Sequence, residues 1–153
     1  MTRNRTITWD DPAPGAAAGL QLSGLEYLPA VAAGNLPSPP IAQTMGMNPV
    51  EFGEGFAIFG AEPAEYHYNP IGVVHGGLAA TLLDSAMSCA VHTTLAPGER
   101  YTTLELKVNF VGAITAETSN QASNEARPAA ADALPRMAIA SATPTTAPTW
   151  RAV

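Results

Sequence analysis

The chain has little cysteine, little charge and no long uninterrupted apolar run. Cys89 is the only cysteine in 153 residues. That excludes an intrachain disulfide and argues against a zinc site built on cysteines. Charged residues make up 13% of the chain, against the ~25% usual for soluble domains. So sparse a charged surface implies that some of it is buried in an oligomer. The net charge is −6 and there is no basic run, which argues against nucleic acid, because binding it needs clustered Lys and Arg to neutralise phosphates. The opening ten residues lack the apolar core of a signal peptide. No stretch reaches the ~18 apolar residues that span a bilayer. Residues 73–96 come nearest, and His75, Asp84 and His92 interrupt them. A cytoplasmic protein with neither membrane nor nucleic-acid partner is the expectation.

Several chemical signatures are also missing. No Gly-x-Ser-x-Gly elbow surrounds Ser85 or Ser88. There is no phosphate-binding loop and no dinucleotide fingerprint. His75 has no second histidine at metal-binding spacing, and His67 and His92 read as incidental. No metal and no cofactor are expected. Cys89 reads as an inert core thiol.

The chain does hold enough apolar residues for a core. At 46% apolar and 153 residues it fits one domain of ordinary size. Residues 1–19, rich in Ala, Gly and Pro, read as a flexible arm. Ser23-Gly-Leu-Glu26 has the spacing of a capping box and predicts a helix start. Pro29 falls inside that helix and Gly34 follows its end. Ile41–Met45 fits one helical turn stopped by Gly46. Met47–Phe52 and Phe56–Ala61 read as strands around Gly53-Glu-Gly55. Tyr101–Val111 alternates Leu104, Leu106, Val108 and Phe110 with Glu105, Lys107 and Asn109, the pattern of a half-buried strand. Gly112–Thr118 begins a further one.

The most informative stretch is Asn69-Pro-Ile-Gly-Val-Val-His75-Gly-Gly-Leu-Ala-Ala-Thr-Leu-Leu-Asp84. A turn runs into a helix predicted over 75–95. Leu78, Leu82, Ala86 and Ala90 recur every four residues, with Leu83, Met87 and Val91 beside them, so the helix is expected inside a core. Asp84 lies two turns in. A carboxylate there is costly unless it has a partner or a task. Gly77, Thr81 and Ser88 share its face. Asp84 could act as a general base or nucleophile, or be a structural acid bonded to Ser88 or a neighbouring strand. The first N–H groups of a helix lack intrahelical partners and carry partial positive charge. Gly76 and Gly77 leave them open to an oxyanion, or merely permit tight packing. His75 could polarise a carbonyl or hold the turn.

Taken together, Asn69-Pro-x-Gly72-x-x-His75-Gly-Gly-x-x-x-x-Leu-x-Asp84 followed by Thr102-Thr-Leu-Glu-Leu-Lys-Val-Asn-Phe110 resembles the PaaI-like family of hotdog-fold acyl-CoA thioesterases. The similarity covers roughly residues 20 to 115. It implies an α+β hotdog fold, a long central helix wrapped by a curved antiparallel sheet. It implies a homodimer or homotetramer with active sites at the subunit interface. On that pattern Asp84 of one subunit is base or nucleophile, and Asn69 of the other positions water or thioester. The Gly76 N–H binds the thioester oxygen and His75 shapes the turn. Gly77, Ser88 and Thr103 would contact substrate. Thr103 takes the family's polar position in the strand after the helix, although strict alternation would turn Thr102 inward. The implied reaction is hydrolysis of an acyl-CoA thioester without metal or cofactor. A hotdog module that binds acyl-CoA without turnover is the alternative, as is an inactive chain.

That third reading comes from the tail. The family's sheet continues with long alternating strands, yet residues 119–153 are mostly Ala, Pro, Thr, Ser and Asn without sustained alternation. The change near Thr118 resembles a reading-frame shift in a high-GC gene. A domain over 20–118 with an atypical C-terminal part is therefore expected, and Met137–Ala140 is the tail's one short strand candidate.

Overall fold

The computed structural model describes residues 1–110 and 112–115, and the backbone of 120–125. Three short helices come first: α1 (Ala13–Ala18), α2 (Gly24–Ala32) and α3 (Pro40–Met45). A hairpin of β1 (Met47–Gly53) and β2 (Phe56–Ala61) follows, then the long helix α4 (Gly76–His92) and β3 (Asn120–Glu125). The sheet is antiparallel in the order β1-β2-β3. It is the α+β arrangement of a hotdog fold, with α4 packed on the sheet.

The local causes match the sequence closely up to α4. The Ser23 N–H donates to Glu26 Oε2 at 2.9 Å, and the Ser23 hydroxyl donates to the same atom at 2.7 Å. These bonds hold the exposed Glu26 carboxyl below its ordinary range. Pro29 lies within α2. Gly46 stops α3 in the left-handed conformation (φ 64°), where a side chain would be strained. Gly53 pairs with Phe56, so the hairpin turns over two residues. Pro49, which has no N–H for the ladder, adjoins an irregularity in β1 before Glu51.

The core lies between α4 and the hairpin. Ala57, Phe59 and Ala61 alternate inward along β2 and are buried. They meet a helix face of Leu78, Leu82, Leu83, Ala86, Met87 and Ala90. Leu82 and Leu83 are 0% and 2% exposed, each contributing about 1.5–3 kcal/mol by its burial. Two contacts fix the far end of α4. The buried Thr93 hydroxyl donates to Ala90 O at 2.7 Å and accepts the Gly55 N–H at 2.9 Å, tying helix end to hairpin turn. Gly24 sits against the His92 carbonyl, where an added Cβ would lie 1.7 Å from the oxygen. The α2 backbone can approach α4 only because that Cβ is absent.

The expected strand over 101–111 does not form among the described residues. Residues 101–110 join no ladder. Side-chain alternation can orient a strand, but a strand exists only where a neighbour takes its N–H and C=O groups. The inward pattern survives in part. Leu106 and Val108 pack half-buried on the core, whereas Leu104 and Phe110 are 81% and 61% exposed. Strict alternation had all four inward.

The atypical tail contributes where no strand pattern is visible. The β3 backbone pairs with all of β2, from Phe56↔Glu125 to Ala61↔Asn120. Further back, Ile114 is buried and its carbonyl accepts the Val74 N–H at 3.0 Å. Met137–Ala140 and the end of the 112–118 segment lie outside the described residues. The arm over 1–19 contains α1, and its Arg5 reaches the end of α3. No helix among the described residues is long and apolar enough to cross a membrane.

Candidate active site

The turn before α4 is built by Asn69. Its side-chain oxygen accepts the N–H groups of Ile71 (3.1 Å) and Val73 (3.2 Å), and its own N–H donates to Val73 O at 2.8 Å. Gly72 takes the positive φ (81°) that closes the turn. Asn69 therefore commits its side-chain oxygen to the backbone, and among the described residues its amide nitrogen has no acceptor.

The turn delivers His75 as the N-cap of α4. The His75 N–H donates to His67 O at 2.7 Å. Its Nδ1 accepts the Gly77 N–H at 2.8 Å, so in this arrangement the ring proton sits on Nε2. The cap separates the two glycines. The Gly77 N–H is taken, while the Gly76 N–H has no partner among the described residues. No acidic side chain occupies the first turn of α4, so nothing local offsets the partial positive charge of the helix start. The Phe110 ring lies on Gly76, 2.9 Å from where a Cβ would be. With Val73, Val74, Ala113 and Ile114 it walls an open groove of about 380 Å³ at that helix end.

Asp84 is half-buried rather than enclosed. Its partner is Thr103, whose hydroxyl donates to Asp84 Oδ1 at 2.8 Å. Of the two threonines, Thr103 is the one that hydrogen-bonds Asp84, on a segment whose alternation is broken. The other polar groups on this face bond back onto the helix, and Ser88 also hydrogen-bonds the Tyr101 side chain. Thr81 donates to Gly77 O at 2.9 Å and Ser88 to Ser85 O at 3.3 Å. Ser88 gives no hydrogen bond to Asp84, so the expected seam reduces to the Asp84–Thr103 pair. Cys89 is pushed up to about 12, by burial first and by the nearby Asp84 charge second. It stays a thiol at neutral pH and is not a nucleophile.

His67, Phe110 and Arg5 are additions to the expected site. His67 is buried, with Nδ1 accepting the Ala64 N–H (3.0 Å) and Nε2 donating to Met45 O (3.1 Å). Burial holds it below the ordinary imidazole range, and the Arg5 charge also lowers it. Its carbonyl in turn fixes His75. Nothing local marks Arg5, whose partners lie about 40 positions away, and His67 has one local partner, Ala64, besides the distant Met45. Phe110 carried only a core-face parity signal. Among the described residues, no cluster of three His, Cys, Asp or Glu side chains could hold a metal ion.

Residues 71–118 match the family model of the thioesterase superfamily. The match stops where the composition changes. No protein of curated function matches the chain. Solved structures do. A phenylacetic acid degradation-related protein of Ralstonia eutropha is 25% identical with a TM-score of 0.54, over 62% of this chain and 71% of that one. The PaaI protein of the Escherichia coli phenylacetic acid degradation operon is 19% identical with a TM-score of 0.52, over 67% and 70%. The TT0310 protein of Thermus thermophilus is 23% identical with a TM-score of 0.51, over 56% and 70%. Across six matching structures the chain spans 64% to 71% of their length. In its segment 71–118 and in its hotdog fold, the chain is similar to the PaaI-like thioesterases of the thioesterase superfamily.

Proposed function

We propose that the chain hydrolyses acyl-CoA thioesters, with Asp84 as general base or nucleophile and the Gly76 N–H as oxyanion donor, in sites shared between two copies. The observation that carries this reading is the Gly76 N–H, without a partner among the described residues, beside a groove, together with a carboxylate held by Thr103 on the same helix. The superfamily match over 71–118 supports it.

Geometry supports a shared site. Asp84 lies eight residues beyond Gly76 in α4, or about 12 Å along the axis. One reacting carbonyl must lie ~3 Å from both its attacking group and its oxyanion donor. One chain's Asp84 and Gly76 are too far apart to bracket it. Two copies packed with their α4 helices side by side can present Asp84–Thr103 from one and Asn69, His75 and Gly76 from the other. A homodimer, alone or paired into a tetramer, is the smallest active form.

In the base mechanism Asp84 takes a proton from water as its oxygen attacks the carbonyl carbon. The developing oxyanion is held by the Gly76 N–H, and the Asn69 amide helps to position the water or the thioester. The tetrahedral intermediate collapses, the C–S bond breaks, and the sulfur leaves as thiolate. In the nucleophile variant Asp84 itself attacks, and water then cleaves the mixed anhydride. Losing one oxyanion donor in such a site costs ~10²–10³ in rate. A non-catalytic binder would gain nothing from a half-buried carboxylate held in place by a hydroxyl.

The test is thiol release by the purified full chain against a panel of acyl-CoAs, with mass in solution measured alongside. Asp84→Asn should abolish turnover and keep the fold. An active Asp84→Asn variant would remove Asp84 from the mechanism.

A further inference from the structure

The N-terminus of α4 is flanked by two grooves of unlike chemistry. The Phe110 groove is walled by carbon. The second, of about 360 Å³, shares His75 and Gly77 with it and is lined by Arg5, Met45, Tyr66 and Tyr68. Arg5 brings a cation there from the arm that precedes α1. Its Nη1 donates to Thr44 O at 2.8 Å and its Nη2 to Gln43 O at 2.9 Å. Its guanidinium lies 4.0 Å from the centroid of the Tyr66 ring.

Those contacts hold the guanidinium but do not neutralise it. The two carbonyls, at the end of α3, are dipoles, and the ring offers only its quadrupole. Among the described residues no carboxylate pairs with Arg5, whereas Arg3 close by is paired with Glu65 at 2.7 Å. A guanidinium has five N–H donors, and the two carbonyls use one each. Capping α3 explains the pinning. It does not explain a fixed, unneutralised cation lining a groove in a chain of net charge −6.

We propose that Arg5 binds an anionic oxygen group of the substrate in this groove, either a phosphate of the coenzyme A arm or a carboxylate on the acyl arm. The proposal rests on the thioesterase reading, because both grooves meet where the thioester carbonyl is to be held. If the anion is a phosphate, the Phe110 groove takes the acyl chain; if it is an acyl carboxylate, the acyl arm lies in the Arg5 groove and the thiol arm leaves past Phe110. A preorganised guanidinium costs little entropy to engage and favours oxyanions over neutral groups.

The test compares wild type with Arg5→Gln on three thioesters that differ in where they carry charge. They are hexanoyl-CoA, adipoyl-CoA with its terminal carboxylate, and the hexanoyl thioester of N-acetylcysteamine, which has no phosphate. KM should rise roughly 10- to 100-fold for the recognised anion, with little change in kcat. A rise for adipoyl-CoA alone identifies the acyl carboxylate. A rise for both CoA esters that spares the N-acetylcysteamine ester identifies the phosphates. No change, or an equal change in all three, overturns the proposal. Arg5→Lys separates charge from helix capping, since it should recover part of the KM effect whatever the melting temperature does. Calorimetric titration with coenzyme A and with adipate keeps the two readings distinct. Arg5-dependent binding without any turnover would sink the hydrolase and leave the anion site standing. Turnover without Arg5 dependence would do the reverse, and the absence of both would end both.

Discussion

Replacing Thr103 by Val tests the Asp84–Thr103 pair with minimal disturbance. The two side chains have nearly the same shape, so the change removes one hydroxyl. In the structure that hydroxyl donates to Asp84 Oδ1 at 2.8 Å. A hydrogen bond to a charged group is worth about 1.5–3 kcal/mol when water cannot replace it. In the free protein water can replace it, because Thr103 is exposed and Asp84 only half-buried. Stability should therefore move by less than about 0.5 kcal/mol, as for an ordinary surface change. With substrate and a second copy excluding water, the full value applies. At about 1.4 kcal/mol per tenfold, kcat/KM should fall roughly 10- to 150-fold. Thr103→Ser should restore most of it. The assay is steady-state thiol release from one good acyl-CoA substrate, with thermal melts of all three proteins. Wild-type kcat/KM in Thr103→Val would refute the positioning role. So would a large drop in melting temperature that tracks the loss of activity.

Two further predictions concern the scaffold. Thr93→Val keeps the shape but strands the Gly55 N–H, so it should cost about 1–3 kcal/mol, read as a lowered melting temperature with no change in oligomer mass. Lowering the pH should weaken the fold through His67. Its folded value lies below the ordinary 6.5, so the unfolded chain takes up the proton first as the pH falls. The stabilisation from neutral His67 is complete above about pH 6.5 and is lost progressively below it, and urea midpoints at pH 7.5 and 5.5, with and without His67→Gln, would show whether the ring is responsible.

Local chemistry made much of the scaffold legible. Ser23 and Glu26 mark a helix start because they satisfy each other within four residues. Gly46 marks a helix stop because few other residues take its backbone angle. The Asn69 turn, the His75 boundary and the Leu78–Ala90 stripe follow from the same short range. Over residues 101–110 the strand reading does not hold among the described residues, for the complementary reason. Its alternation was real at Leu106 and Val108, but a ladder needs a neighbour that sequence periodicity cannot supply. The opposite occurred at Asn120–Glu125, six residues without strand propensity that pair because the edge of β2 offers a ladder.

The candidate site divides along the same line. By itself the sequence determined that an almost wholly apolar helix begins at His75-Gly-Gly and carries one acid two turns in, because helical period and backbone preference act over a few residues. The His75 cap on Gly77 is itself a two-residue contact, but only the tertiary structure decided that the Phe110 ring lies over Gly76. It also set Thr103, not Thr102, against Asp84. And it brought Arg5, from an arm with no signal of its own, to the end of α3 and into a groove that reaches the α4 N-terminus. Each of these is a contact between side chains or segments in space, which composition and spacing do not encode.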